Sequence, residues 1–119
     1  LYQRRILKMI IKNVELVKCV NGLISLQKEC DIPFSVTLAH KINRNIKKLI
    51  EEVEPYEEDR QKIMNESISD DEKNKKISEL LLCETDIQLN MIDIKELEGI
   101  QLTLNQMDIL DVMIKKEDE

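Results

Sequence analysis

Eight positions in the middle of the chain, Ala39, Ile42, Ile46, Leu49, Val53, Tyr56, Arg60 and Ile63, fall alternately three and four residues apart. All but Arg60 are apolar. A strand cannot gather that set on one side, because its side chains alternate every second residue, whereas a helix does so naturally. The spacing therefore predicts a long heptad-patterned helix over 35–65, with a seam of about three heptads. Pro55 lies inside it. A proline removes one helical hydrogen bond and crowds the carbonyl four residues back. Because the seam keeps its register across Pro55, a single kinked helix is expected rather than two.

A helix this long needs partners, and the flanking sequence offers them. Ile6 to Lys12 is β-branched and aliphatic and suggests a strand over 6–12, with Asn13 as cap of the next helix; the rival reading is one long helix from Tyr2 onward, and a strand partner near the C-terminus favours the former. Leu16, Val17, Val20, Leu23 and Ile24 recur at helical spacing, giving a helix over 14–29. Pro33 disfavours helix at Ile32 and sets a turn at 30–33. A third helix over 71–83, capped by Ser69 or Asp70, turns Ile77, Leu80 and Leu81 inward. Ile87, Leu89 and Met91 then alternate with polar residues, a strand over 86–94 whose phase slip at Met91–Ile92 suits a bulge. Gly99 marks a turn, and Thr103 with Gln106 forms a capping-box pattern opening a helix over 103–114. The tail from Lys115 is charged and expected to fray.

The fold class expected is mostly α (α+β): an antiparallel helical hairpin with a long heptad-patterned helix, a short two-stranded ribbon and a C-terminal helix. Composition agrees. Gly and Pro number only two each in 119 residues, too few for the turns of an all-β sandwich. The length argues for one domain over 1–119. The seam of Ile42, Ile46, Leu49, Val53, Tyr56 and Ile63 can be filled by Val17, Val20 and Ile24 of the first helix, or by a second copy in a homodimer.

The chemistry-bearing residues are few. There is one histidine, His40, and none of the three cysteines, Cys19, Cys30 and Cys83, has a zinc-ligand spacing. They read as reduced, mostly buried small hydrophobes of a cytoplasmic protein. Phosphate-binding loops and nucleophile elbows are absent from the sequence. This points away from an enzyme, and no cofactor or metal is expected. No apolar run reaches the roughly 18 residues of a membrane span.

Charge is more informative. Residues 1–49 hold ten Lys and Arg against three Asp and Glu, a balance of +7. Residues 50–119 hold eight against twenty-one, a balance of −13, and together they give the net −6. In the basic half, Lys41, Arg44 and Lys48 share a helical face that could touch phosphates. The acidity and the 3% aromatic content speak against direct nucleic-acid binding. In the acidic half, Glu51, Glu52, Glu54, Glu57, Glu58 and Asp59 fall in nine residues with no base among them. Such a run commonly serves as a solvated helix face. It could also imitate a nucleic-acid backbone and occupy a basic groove on a partner protein.

Two stretches carry a resemblance. Asn45-Ile-Lys-Lys-Leu-Ile-Glu-Glu-Val-Glu-Pro-Tyr-Glu-Glu-Asp-Arg60 resembles a helix of small uncharacterised accessory proteins of phages and prophages of low-GC Gram-positive bacteria. So do Ser78-Glu-Leu-Leu to Glu84 and Leu97-Glu-Gly-Ile-Gln-Leu-Thr103, together with the order of elements. Leu104 departs from the pattern, where a proline or another first-turn residue would follow the capping Thr103. The resemblance implies a viral protein of the host cytoplasm and brings no catalytic residue. With the charge pattern it leads to a non-enzymatic inhibitor of a host defence system, anti-CRISPR-like. Its partner would be a host protein with a basic surface, such as a nuclease. The alternative is a virion structural or assembly factor acting through self-association of the seam.

Overall fold

The computed structural model describes residues 6–28 and 32–114. Its first element is a strand, β1 (Ile6–Lys12), followed directly by helix α1 (Asn13–Lys28). Helix α2 (Val36–Met64) and helix α3 (Asp70–Leu82) follow, then strand β2 (Glu84–Asn90), a 3-10 turn (Ile94–Leu97), helix α4 (Leu104–Leu110) and a second 3-10 turn (Asp111–Met113). The mostly helical α+β class expected above is what forms.

The two strands pair antiparallel, Ile6 opposite Asn90 and Lys12 opposite Glu84. Period-two alternation splits the ribbon. Leu7, Ile11, Ile87 and Leu89 are buried, while Ile6, Lys8, Ile10 and Lys12 face solvent beside Glu84, Asp86 and Gln88. An isolated two-stranded ribbon is marginal in water and needs helices on its apolar face. Here α1 and α2 supply them. Leu16, Val20, Leu23 and Leu26 of α1 meet Leu38, Ile42, Ile46, Leu49 and Val53 of α2 in one core, which Ile92, Leu97, Leu110, Met113 and Ile114 close from the C-terminal side.

Helix starts follow the sequence chemistry. The Ser35 hydroxyl accepts the Leu38 N–H at 3.2 Å, and the Ser69 hydroxyl accepts the Glu72 N–H at 3.2 Å. At α4, Thr103 and Gln106 exchange both capping-box bonds, at 2.9 and 3.1 Å. Each satisfies an N–H that a helix end leaves without an internal partner. Gly99 sits at φ +79°, a conformation that suits glycine at the turn before α4.

Four expectations change. Asn13 does not cap α1. Its side chain is buried and donates to the Leu80 carbonyl at 2.9 Å while accepting the Thr85 hydroxyl at 3.2 Å. With the Asn13 N–H on the Cys83 carbonyl at 2.9 Å, it pins the α1 start to the α3–β2 junction. β2 ends at Asn90, not at 94, and the phase slip is no bulge. The chain leaves the ribbon there, the Ile92 N–H donates to the Met113 carbonyl at 2.8 Å, and Ile92 bridges Ile114 in parallel. The Asp93 carboxylate then caps the 3-10 turn through the Lys95 N–H at 3.0 Å. Finally, Cys83 is exposed just past the end of α3, and Cys19 is only half-buried, off the apolar stripe of α1. Cys30, the first half of the turn at 30–33 and the tail from Lys115 lie outside the described residues.

α2 runs through Pro55 without interruption. Pro55 is exposed, so its ring lies away from the core. It has no N–H for the Glu51 carbonyl, which therefore lacks its usual helical partner. Past its last buried residue, Val53, α2 continues as an arm that packs against α3, and no residue of α3 is fully buried.

Candidate functional site: the acidic face of the long helix

Helical geometry separates two faces of α2. Leu38, Ile42, Ile46, Leu49 and Val53 point into the core. Half a turn away, Glu51, Glu54 and Glu58 follow one another at i, i+3 and i+7 along the solvent side. Glu57 and Asp59 flank that stripe and are exposed, and Glu52 is half-buried at its edge. All six carboxylates expected to act as partner-binding groups thus lie on about two and a half turns of one rigid element.

None of the six is neutralised by an ion pair among the described residues. The two ion pairs there are Lys41–Glu96 and Lys76–Glu66, both at 2.6 Å. Glu54 with Glu58, and Glu54 with Glu57, are like-charge neighbours at helical spacing, each costing the helix about 0.2–0.5 kcal/mol. Lys47 and Lys48, one turn before Glu51 and Glu52, offset part of this. The face is a concentrated, solvent-accessible negative field on a helix held by its opposite side.

The basic trio does not stay together as free cations. Lys41 is drawn off α2 to Glu96 of the 3-10 turn. Arg44 and Lys48 remain exposed, flanking a shallow depression of about 200 Å³ beside Asn90. Of the seam residues, Ile42, Ile46, Leu49 and Val53 are buried by this chain itself, and Tyr56 and Ile63 are half-buried farther out on the arm. His40 is exposed. Among the described residues no three His, Cys, Asp or Glu side chains converge on a metal position. The Cys19 thiol is pushed up from its ordinary pKa, by burial first and by the Glu15 carboxylate second, so it is a poor nucleophile at neutral pH. No helix among those residues is long and apolar enough to cross a membrane.

One residue that holds the site in place escapes the apolar-seam reading. Asn45, 1% exposed, accepts the Asn90 N–H at 2.7 Å and donates to the Asn90 carbonyl at 2.9 Å. Its amide does for Asn90 what a third strand would do, and it welds α2 to the end of the ribbon. The available signal is a polar residue three after Ile42 and four before Leu49, on the flank of an apolar stripe.

In comparisons with known proteins, no family model, no curated protein and no solved structure matches the chain.

Proposed function

We propose that this chain is a non-enzymatic protein-binding factor whose acidic face on α2 occupies a basic surface of another protein. The observation that carries the reading is the set Glu51, Glu52, Glu54, Glu57, Glu58 and Asp59, gathered on one helix and free of ion pairs among the described residues. Carboxylates on a fixed helix lose little entropy on docking, and their summed field accelerates encounter with a cationic groove. A groove built for a phosphate backbone presents that complementary charge. With the resemblance to phage accessory proteins, the partner class is a host defence nuclease, blocked by occlusion in the anti-CRISPR manner.

The test expresses the chain in bacteria whose CRISPR nuclease targets an infecting phage. Wild-type chain restores plaques. The variant carrying Glu51→Lys, Glu54→Lys, Glu57→Lys and Glu58→Lys, checked for folding by circular dichroism, does not. Failure of the wild type to restore plaques overturns the anti-defence role. Equal restoration by the variant, or nuclease binding by the variant at about 0.15 M salt, where screening acts over about 8 Å, overturns the charge mimicry.

A further inference from the structure

Among the described residues, the outer edge of β1 is an unfilled strand position. The Asn90 N–H is given to Asn45, so Asn90 turns its backbone groups away from β1. In an antiparallel pair, successive residues alternate between facing the partner and facing away. The pairing of Ile6 with Asn90 therefore directs the N–H and C=O of Lys8 and Ile10 to the side opposite β2. Among the described residues nothing pairs with that side, since the sheet holds two strands only. Unpaired edges are templates for a further strand, and proteins usually cover or blunt them.

A groove of about 460 Å³ runs along this edge. Met9, Ile10 and Ile11 form one wall, Cys19 lies on the α1 side, and Ile109 with Val112 stands opposite. No β2 residue lines it, which places it on the open side of β1. Its charged lining is Glu15, Asp108 and Asp111 against a single Lys18. Ile10 is 66% exposed, an apolar side chain left in solvent at the middle of the edge. A lone extended segment brings no second strand of its own that the groove would have to accommodate.

We propose that this groove binds an extended, lysine- or arginine-bearing peptide segment of a partner protein by strand addition to β1. Main-chain bonds to Lys8 and Ile10 hold the segment, its basic side chains face the groove and meet Glu15 and Asp108, and the alternate apolar ones lie beside exposed Ile10 on the other face. The site stands apart from the acidic face of α2 and does not depend on the role assigned to it.

The test uses the full chain and three fluorescein-labelled peptides: Lys-Val-Lys-Val-Lys-Val-Lys, the same peptide with its central Val replaced by Pro, and Glu-Val-Glu-Val-Glu-Val-Glu. Anisotropy shows saturable binding of the first, about tenfold weaker binding of the second, which lacks one ladder donor, and none of the third. Glu15→Lys with Asp108→Lys, both exposed and off the core, weakens the first by about tenfold. Bound peptide slows amide exchange at Lys8 and Ile10. Equal binding of the first two peptides, unchanged exchange at these amides, or no binding overturns the proposal. So does concentration-dependent protection of the same amides without peptide, with a dimer in sedimentation, which assigns the edge to a second copy.

Discussion

Replacing Asn45 tests how the long helix is fastened to the ribbon. Asn45→Ala deletes the bonds of 2.7 and 2.9 Å to Asn90 at a position 1% exposed. Each ordinary hydrogen bond contributes about 1 kcal/mol net, and a buried group left without a partner costs about 1–3 kcal/mol. Asn90 is half-buried, so water repairs part of the loss, and the sum comes to about 3 kcal/mol. That is a large share of a domain stability of about 5–15 kcal/mol. At about 4 °C per kcal/mol for a chain of this size, the melting temperature falls by about 12 °C. Asn45→Asp sharpens the test. Its carboxylate would face the Asn90 carbonyl with no proton to offer and no water to solvate it. Burial raises the folded-state pKa of such an acid above its unfolded value of about 3.9. The neutral acid can still donate to the carbonyl and accept the N–H. The deficit of Asn45→Asp relative to wild type is therefore small below the unfolded pKa and grows as pH rises through the folded one. Urea unfolding followed by circular dichroism at pH 4 and pH 7 measures this. A loss for Asn45→Ala under about 0.5 kcal/mol, or a gap for Asn45→Asp that stays constant with pH, refutes the clamp.

Two further outcomes follow from contacts on α1. Gly22 lies where an added Cβ would stand 3.0 Å from Ile109 Cγ1, so Gly22→Ala is destabilising although alanine favours helix by about 1 kcal/mol. In an Ile109→Ala background the same change becomes stabilising, and a double-mutant cycle that shows no change of sign excludes the steric account. With Cys30 replaced by Ser, iodoacetamide labels exposed Cys83 before Cys19. Because the Cys19 thiol titrates above its ordinary value, its labelling lags by about tenfold at pH 8 and speeds up only at higher pH. Equal rates in the folded protein contradict the burial of Cys19, while equal rates in urea are expected.

What could be read from the chain depended on the range of the interaction that decides it. Apolar spacing located α1, α2 and α3, because a helix face is a property of residues three and four apart. Ser35 went unnamed as a cap, but Ser69, Thr103 and Gln106 were legible, since capping is settled within one turn. The pairing of β1 with β2 followed from two apolar strands needing each other. The errors came from long-range choices. Asn13 has the chemistry of a cap, yet it meets Leu80 and Thr85 near seventy residues away. The end of β2 at Asn90 rests on Asn45 and on Met113, which no local pattern announces. The acidic run was plain in the sequence, and its gathering on the outward face followed from the seam. The groove beside β1 was hidden because its walls come from β1, α1 and the C-terminal elements.

The ribbon also sets a timetable for synthesis. Lys12 pairs with Glu84, 72 residues later, and Ile6 with Asn90, 84 residues later. At about 5–20 residues per second, β1 leaves the ribosome between about 4 and 17 seconds before its partner strand exists. Closing a loop of that length is slow compared with helix formation, so α1 and α2 can pack first and shield Leu7 and Ile11 while the strand waits. A pause in translation before residue 84 would lengthen the interval in which this apolar strand is held by helices alone.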